Sequence, residues 1–380
     1  MDKPLRVLQI FASLNVGGAE CRMMDVYRKI DKKKVQFDFV TLTDGEQFFE
    51  SEIKSLGGSI YKIGDPRKKG IFSNIKSLIA VMKINKYIAV HAHTSYHCGV
   101  VSLAAKIAGI NIRVSHSRTT DTIQTGLFSR LNIQLGKVLI RLFSTDKLCI
   151  SRKSGEFLFG KRAVKNKEAL VLPNAINLNE YENINVQDIN LTEMVSDSLI
   201  IGHIGRFSPE KNHQLLIDIY QEFNRIKNKS KLVLVGEGVC EAKIKKTVIE
   251  KKLTESVIFT GLRRDVPFLL SIFDVLVIPS IHEGLGGIVI EAQAAGIPCV
   301  VSEALPEEID LGLGLIKRIS LNASLQEWVD EIDQSIGLKI DNRNLIRKKF
   351  REKRYTVEQE ILTLLKEVYR ISESPEDSYS

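Results

Sequence analysis

Short apolar runs and amphipathic segments alternate along almost the whole chain. A run of four to eight apolar residues between turn-forming residues predicts a buried strand, and a 3.6-residue apolar period predicts a helix. Strands are predicted at residues 6–11, 37–42, 59–63, 89–92, 112–115, 147–151 and 169–172, and again at 199–204, 231–236, 258–262, 273–278, 299–302 and 315–319. Helices are predicted at 19–28, 73–83, 125–143, 288–295, 326–336 and 355–371. This alternation indicates an α/β fold with parallel, doubly wound sheets.

The strands fall into two groups that are separated by a polar, asparagine-rich segment at residues 177–198. A chain of 380 residues is too long for one compact core, so two domains are expected. We assign residues 1–178 to a first domain and 199–350 to a second, with a linker between them. Residues 355–371 form a last amphipathic helix, and the polar tail at 372–380 is expected to be disordered.

The stretch at residues 279–303 carries the most specific chemistry, because it joins a predicted strand to a predicted helix through a glycine-rich loop. Gly286 and Gly287 lie just before the helix, where free backbone N–H groups and the helix dipole favour a phosphate. Glu283 and Glu291 lie on either side, and their carboxylates can accept hydrogen bonds from sugar and ribose hydroxyls. Each glutamate alone is as readily a solvated charge, but the complete pattern favours a nucleotide-sugar site.

Two cations follow the predicted strand at residues 199–204. Arg206 and Lys211 lie in the strand-to-helix loop GRFSPEKN. A guanidinium fork and an ammonium point charge suit the phosphates of a diphosphate.

In the first half, Gly17 and Gly18 open a helix after the first strand; alone, such a pair more often indicates a turn.

Histidines mark two strand ends in the first half, at the edge where open α/β sheets bind ligands. His91 and His93 form an H-x-H motif, and His116 ends the next strand. A structural imidazole is an equally good interpretation of each. The sequence has no third ligand of matching spacing and no D-x-D motif, so no metal is predicted. The NAD and P-loop signatures are also missing, and no cofactor is expected.

Together these motifs resemble the GT-B glycosyltransferases of family 4, and within them the EpsF-like exopolysaccharide and capsule group. The resemblance extends from about Val7 to about Tyr369 and rests on the E-x7-E stretch, the G-R-x4-K-N loop and the G-G-A-E loop at residues 17–20. It implies two Rossmann-like domains that face each other across a cleft, with the last helix returning to the first domain. Relatives often have Pro where this chain has Gly286, which leaves the shape of the phosphate loop and the donor preference open.

The resemblance also implies a role for each candidate residue. The catalytic set is His116, Arg206, Lys211 and Glu283. Glu20 and His93 are assigned to the acceptor side. The donor contacts are Gly17, Gly18, Arg206, Lys211, Gly236, Gly261, Glu283, Gly286, Gly287 and Glu291.

Charge is spread unevenly along the chain. Residues 1–178 hold 29 Lys and Arg against 14 Asp and Glu, whereas the remainder holds 25 against 32. Between residues 67 and 167, 19 basic residues meet only three acidic ones. A solvated face explains part of this excess, but the block favours an anionic surface or substrate. We expect the first domain to dock on the inner face of a bacterial membrane, with no nucleic-acid partner. The basic residues available for this contact are Lys137, Arg141, Arg152, Lys153, Lys161, Arg162, Lys165 and Lys167.

The predicted helix at 125–143 carries an apolar stripe that consists of Leu127, Leu131, Leu135, Val138, Leu139 and Leu142. We expect this stripe to be core, which leaves Phe128 and Ile140 at a membrane-facing edge. We recognise no signal peptide and no membrane span in the sequence. Five scattered cysteines without C-x-x-C spacing fit a reducing cytoplasm.

The resemblance therefore implies a retaining glycosyltransferase of surface polysaccharide synthesis. It would move a hexosyl unit from a nucleotide sugar, most simply a UDP-sugar, to a hydroxyl of a lipid-linked or oligosaccharide acceptor. Two alternatives stay open: a GT-B-shaped nucleotide-sugar epimerase and a non-catalytic nucleotide-sugar-binding protein. The complete Glu, Arg and Lys set favours catalysis, and the G-G-A-E loop favours transfer over epimerisation.

Overall fold

The computed structural model describes residues 3–119, 127–184 and 188–371. The chain divides into two compact units, one of Met1–Ala175 with Arg354–Ser380 and one of Ile176–Lys353. Each unit is built around a parallel β-sheet, so the predicted α/β class with two Rossmann-like domains is confirmed. The predicted disordered tail at 372–380 lies outside the described residues.

In the described part of the first unit, seven strands form one sheet: β1 Leu5–Phe11, β2 Val35–Thr41, β3 Ile60–Lys62, β4 Tyr87–Ala92, β5 Ile112–Ser117, β6 Asp146–Cys149 and β7 Leu170–Val171. Their order across the sheet is β3-β2-β1-β4-β5-β6-β7, and every pair is parallel. The order reverses between β1 and β4, as in a doubly wound fold.

In the described part of the second unit, six strands form the sheet: β8 Leu199–Ile204, β9 Ser230–Val235, β10 Val257–Gly261, β11 Val275–Ile278, β12 Cys299–Ser302 and β13 Ile316–Ile319. The order is β10-β9-β8-β11-β12-β13, again all parallel. The β11 run Val-Leu-Val-Ile is buried throughout because both faces of a parallel sheet are covered. Here the order reverses between β8 and β11.

The helices connect these strands. In chain order they are α1 Gly18–Lys29, α2 Glu50–Ser55, α3 Pro66–Lys69, α4 Ile71–Met82, α5 Cys98–Ile107, α6 Leu127–Phe143, α7 Arg152–Phe159, α8 Lys161–Lys165, α9 Ile189–Val195, α10 His213–Ile226, α11 Glu241–Glu250, α12 Val266–Ile272, α13 Gly287–Ala295, α14 Leu325–Ser335, α15 Arg343–Glu352 and α16 Val357–Thr363. Several starts are encoded locally. For example, Ser324 and Glu327 form a reciprocal capping box at α14.

The core of the first unit lies on both faces of its sheet. Along β1, Val7 belongs to one apolar cluster and Leu8 to the other, because successive side chains of a strand point to opposite faces. The first cluster also contains Leu364, Val368 and Tyr369, so the C-terminal segment helps to cover that face.

The C-terminal segment contains a wide helical turn. After α16, residues Leu364–Val368 form a π-helix, in which the Tyr369 N–H donates to the carbonyl of Leu364 at 2.8 Å. Tyr369 is 1% exposed. Wide turns of this kind are frequent at functional sites.

The polar segment at 177–198, which the sequence assigns to a linker, packs on the second unit in the residues described. Leu178 and Tyr181 are buried, and Asp188 caps α9 while accepting a hydrogen bond from Arg263 at 2.7 Å. A few buried side chains and the ion pairs Arg263–Asp188 and Arg347–Glu182 therefore hold a segment that has little apolar periodicity.

The apolar stripe of α6 is not core, and this expectation was wrong. Leu131, Leu135, Val138 and Leu142 are exposed by 59%, 49%, 49% and 65%. Ile140, expected at a membrane-facing edge, is 1% exposed. The side chains of Leu127 and Phe128 lie outside the described part, and of the expected stripe only Leu139 packs against the core.

Glycines explain why α6 turns this way. A Cβ atom at Gly99 of α5 would overlap the carbonyl oxygen of Gly136, and a Cβ atom at Gly136 would overlap that of Tyr96. The two helices therefore approach closely along their small-residue faces, which buries Ile140 beside Gly136 and leaves the leucine stripe facing outward. Among the described residues, none of the helices has the length and hydropathy needed to cross a membrane.

Candidate functional site

Several candidate residues lie where each sheet reverses its strand order. In the second unit, Arg206 and Lys211 follow β8 and Glu283 follows β11, and these strands are neighbours. In the first unit, Gly17 follows β1 and His93 follows β4, which are also neighbours. Open α/β sheets bind ligands outside the carboxyl ends of the strands at such reversal points.

Lys211 and Glu283 form an ion pair in the second unit, with 2.5 Å between Lys211 Nζ and Glu283 Oε1. The Ser280 hydroxyl donates to the same carboxylate oxygen at 2.9 Å. The loops that carry them are tied together because the Ile281 N–H donates to the carbonyl of Glu210 at 2.8 Å. Arg206 lies in the same loop as Lys211, and its side chain is exposed. A cation and an oriented carboxylate are thereby held together, and a second cation is accessible.

Helix α13 begins directly after this loop. Gly286 precedes it in the left-handed region, with φ +82° and ψ +50°. Its Cβ position would lie 3.3 Å from Leu305 Cδ2, whereas the Cβ position of Gly287 is open. The first N–H groups of the helix have no intrahelical acceptor, so they can bind an anion. Proline holds φ near −65° and cannot adopt the backbone of Gly286.

Glu291 lies one helical turn beyond this helix start, and the Tyr181 hydroxyl donates to its Oε2 at 2.9 Å. Tyr181 is 2% exposed. The buried tyrosine fixes the direction of the glutamate side chain. Sequence reasoning did not identify Tyr181, since 110 positions separate it from Glu291.

Gly236 and Gly261 join the loops that follow β9 and β10. The Gly236 N–H donates to the Gly261 carbonyl at 2.9 Å. Both have positive φ, of +133° and +68°. A Cβ atom on Gly236 would overlap the carbonyl oxygen of Gly205, directly before Arg206. These glycines therefore let neighbouring loops approach the cationic loop closely.

Three histidines come together in the first unit. Strand β4 pairs with β5 so that Ala92 lies opposite Ser115, which brings the following residues His93 and His116 side by side. The rings of His91 and His93 stack at 4.2 Å, and those of His91 and His116 at 5.2 Å. His91 is 0% exposed and His116 1%.

Burial lowers the pKa of all three imidazoles well below 6.5, and the nearby Arg118 guanidinium lowers each further. They are therefore neutral near pH 7. A neutral imidazole has one N–H donor and one acceptor nitrogen. The cluster consequently offers directed hydrogen bonds rather than charge.

Arg118 is a site residue that sequence reasoning missed, although it lies two positions after His116. Its Nε donates to His93 Nδ1 at 3.0 Å, and its Nη1 donates to Asn174 Oδ1 at 2.5 Å. Its Nη2 is buried and has no partner among the described residues. Burial lowers its pKa, and the carboxylates of Glu360 and Glu20 oppose that effect. No sequence motif marks Arg118, because its contact with the histidine cluster is made by the fold.

The G-G-A-E loop forms the start of α1. Gly17 is its extended N-cap, and a Cβ atom there would overlap the Glu20 carboxylate. The Cβ position of Gly18 is open. Glu20 acts electrostatically on Arg118, so this loop and the histidine cluster belong to one region of the unit.

The three histidines also raise the question of a metal. One ring nitrogen from each of His91, His93 and His116 lies within 4.8 Å of the others. The sequence argument that no third ligand exists was therefore incomplete, because it searched spacing rather than sheet register. Both ring nitrogens of His91 and of His93 are hydrogen-bonded, and their partners are Tyr369, His116, Gln9 and Arg118. A metal ion would have to break these bonds next to a cation, and the absence of metal stays a prediction.

Comparison with known proteins gives consistent relatives. Residues 188–315 match the family described as glycosyl transferases group 1. A protein of Bacillus subtilis (strain 168) named as the glycosyltransferase EpsF is 34% identical over 375 residues, which cover 97% of each chain. An Escherichia coli UDP-Gal:alpha-D-GlcNAc-diphosphoundecaprenol alpha-1,3-galactosyltransferase is 27% identical over 62% of this chain and 64% of its own. The crystal structure of Anabaena HepE in complex with UDP and glucose superposes with a TM-score of 0.77 at 20% identity, covering 97% of this chain and 100% of that one.

Proposed function

Because the chain belongs to the group 1 glycosyltransferases of polysaccharide synthesis, which have the GT-B fold, we propose that it transfers a hexosyl unit from a nucleotide sugar to an acceptor hydroxyl. The donor is a UDP-sugar, and the anomeric configuration is retained. The observation that carries the proposal is the cluster at the strand reversal of the second unit, where Lys211 and Glu283 pair before the N-terminus of α13.

The second unit supplies a diphosphate site in this proposal. Arg206 and the first N–H groups of α13 bind the phosphate oxygens, and Lys211 adds a point charge. The same groups stabilise the negative charge that develops on the departing nucleoside diphosphate. Cations and backbone donors therefore do the work for which other enzymes use a metal ion.

The two glutamates orient the neutral parts of the donor. Lys211 and Ser280 hold Glu283, so its carboxylate can accept hydrogen bonds from sugar hydroxyls. Tyr181 holds Glu291, which we assign to the ribose hydroxyls. In the first unit, His116 contacts a hydroxyl of the hexosyl group, and Glu20 and His93 lie on the acceptor side.

Retention does not require a protein nucleophile here. We assign Glu283 to positioning, and the acceptor hydroxyl attacks from the face that the diphosphate leaves. In this proposal the departing diphosphate accepts the proton of that hydroxyl. The family relationship supports this course of reaction.

An exposed face of the first unit supports a lipid-linked acceptor and membrane docking. Leu131, Leu135, Val138 and Leu142 project from α6. A cavity of about 490 Å³ beside them is lined by Ile71, Tyr96, Leu135 and other residues. Exposed basic residues follow on α7 and α8, including Lys161 and Arg162. We propose that this face lies on the inner surface of a bacterial membrane, and that the acceptor is a lipid-linked or oligosaccharide hydroxyl.

A donor screen followed by product analysis tests the proposal. The purified chain is first tested against a panel of nucleotide sugars by thermal shift, with the free nucleotides as controls. Each stabilising donor is then incubated with lipid-linked acceptors. Transfer predicts release of UDP and a longer acceptor with retained anomeric configuration. A changed sugar still attached to its nucleotide would identify an epimerase, and binding without any product would identify a binding protein.

A further inference from the structure

The hydrogen bonds around the three histidines form one continuous chain in the first unit. Arg118 Nε contacts His93 Nδ1 at 3.0 Å, and His93 Nε2 contacts Gln9 Oε1 at 3.0 Å. Gln9 Nε2 contacts the Tyr369 hydroxyl at 3.1 Å. Tyr369 contacts His91 Nδ1 at 2.7 Å, and His91 Nε2 contacts His116 Nδ1 at 3.1 Å.

Arg118 fixes the direction of the first half of this chain. A guanidinium only donates, so His93 Nδ1 must accept. Neutral His93 then carries its proton on Nε2, which donates to Gln9. Gln9 must present its oxygen to His93, and its amide nitrogen donates to Tyr369. Each assignment follows from the one before it.

Tyr369 carries the direction onward to the other two rings. Its oxygen accepts from Gln9, and the described residues offer its proton no acceptor other than His91 Nδ1. His91 is therefore protonated on Nε2, which donates to His116 Nδ1. Neutral His116 is left with its proton on Nε2.

His116 Nε2 is the open end of the chain. It is buried and has no hydrogen-bond partner among the described residues. An unpaired buried donor is costly and is normally satisfied by a ligand or water. Arg118 Nη2 is a second buried donor without a partner in the same region.

We propose that Tyr369 is a positioning residue that, through His91, holds neutral His116 as an Nε2–H donor for an oxygen acceptor on the substrate. His116 is then a hydrogen-bond donor and not a general base. The inference rests on the proposed function only in taking that acceptor to be a sugar hydroxyl oxygen. Tyr369 itself touches no substrate in this proposal. Through Tyr369, the C-terminal segment influences how His116 recognises the substrate.

The tautomer of His116 can be measured directly by NMR. The full chain has seven histidines, and selective 15N labelling of their rings distinguishes protonated from bare nitrogens. His116→Gln and His91→Gln assign the signals. The expected result is one neutral form of His116 with the proton on Nε2. A proton on Nδ1 would overturn the proposal.

Two variants test the direction of the chain. Tyr369→Phe removes the donor to His91, so the single His116 tautomer should be lost. Gln9→Glu offers an acceptor oxygen to both neighbours, so Tyr369 turns its proton away from His91 and the His116 proton moves to Nδ1. Tyr27→Phe is the matched control, because it removes another buried hydroxyl of the same unit, bonded to Gln36 and Leu56.

Activity gives a second readout. Tyr369→Phe should lower kcat/KM for the nucleotide sugar about tenfold, the worth of one neutral hydrogen bond, while Tyr27→Phe leaves it unchanged. An unaltered His116 tautomer in Tyr369→Phe would refute the coupling. If the wild-type chain accepts no nucleotide sugar but shows the Nε2–H form, the proposed function fails and the hydrogen-bond chain stands.

Discussion

Replacing Lys211 or Glu283 tests the second unit most directly, because the pair is both a structural contact and a proposed substrate contact. Their side chains are 17% and 12% exposed, and one short bond joins them. Glu283→Gln keeps the shape and removes the charge, which leaves Lys211 partly buried without its partner. Lys211→Met removes the cation and keeps most of the apolar stem. The double variant removes both charges together.

Partial exposure limits the size of the effect on stability. Breaking a fully buried pair costs about 3–5 kcal/mol, and an exposed pair is worth about 0–1 kcal/mol. For this pair we expect each single variant to lower the free energy of unfolding by about 1–2 kcal/mol. The double variant should lose about 1 kcal/mol less than the sum, since contacting residues couple.

Tryptophan fluorescence can follow the unfolding of the second unit by itself. Trp328 is the single tryptophan and is buried in the core of the second unit, so its fluorescence during urea unfolding follows that unit. Turnover should fall about a hundredfold in Glu283→Gln, which corresponds to about 2.7 kcal/mol of transition-state stabilisation. Additive stability losses together with wild-type turnover would refute the assigned roles.

Arg206→Ala separates catalysis from folding. Arg206 is exposed, so its removal should change stability by less than about 0.5 kcal/mol. Turnover should nevertheless fall about a hundredfold if the guanidinium stabilises the leaving diphosphate. Arg225→Ala is the matched control, because Arg225 is an exposed arginine on α10 that pairs only with the neighbouring Glu222 in the contacts described. Equal activity in both variants would contradict the assignment.

Four further predictions concern other parts of the molecule. Gly286→Pro should weaken UDP binding at least tenfold in titration calorimetry because its φ of +82° is closed to proline, while Gly286→Ala should cost about 1 kcal/mol of stability and keep most affinity. Burial raises the pKa of Glu360 from 4.5 to about 6. The buried carboxyl group therefore stabilises the folded state fully below pH 4.5, where it is protonated, and this stabilisation is lost as the pH rises through 6. Relative to Glu360→Gln, the wild type should therefore lose about 2 kcal/mol between pH 4.5 and 7.5 in urea unfolding followed by circular dichroism, and a constant difference would count against it. Transfer should persist in EDTA, and a loss reversed by Mg²⁺ or Mn²⁺ would contradict a metal-free diphosphate site. The chain should sediment with anionic but not neutral vesicles at low salt, and binding should weaken when four basic residues are neutralised together, since each contributes about 1 kcal/mol near an anionic leaflet. Those residues are Lys161, Arg162, Lys165 and Lys167.

The sequence predicts buried strands well. The predicted bounds of β8 and β12 coincide with the observed ones, because strands covered on both faces are continuous apolar runs between turns. The start of α13 is also within one residue of the prediction, since a glycine pair marks it. Short helices such as α7 and α8 have too little periodicity to predict, and tertiary packing decides them.

The orientation of α6 shows where periodicity misleads. A leucine stripe predicts a buried face only if a partner surface covers it. Here α5 and α6 approach each other at Gly99 and Gly136, because the missing Cβ atoms allow contact with the backbone. Helix–helix contact through small residues leaves no apolar signal, so the buried face had to be seen in the structure.

The candidate site also has a part that sequence patterns identify and a part that only the structure shows. The residues after β8 and β11 lie close in sequence to glycines that mark their loops, and the pattern identifies them. The hydrogen-bond chain of the first unit joins Gln9 to Tyr369 across 360 positions and His91 to His116 across 25. No local spacing encodes those contacts, because sheet register and the docking of the C-terminal segment create them.

The two units have similar strand orders, and the proposed function assigns them two kinds of recognition. A diphosphate carries charge, and exposed Arg206 together with the paired, partly buried Lys211 can match it. A sugar hydroxyl is neutral, and neutral imidazoles can match it with directed hydrogen bonds. Burial keeps the imidazoles of the first unit uncharged, and Arg118 both suppresses their protonation and sets the direction in which they donate. An unpaired N–H that is buried in this way is costly, so an acceptor oxygen of a ligand that pairs with it gains a hydrogen bond in a low-dielectric environment. In the proposed function, the first unit therefore supplies neutral, directed donors, and the second unit supplies cations and helix N–H groups.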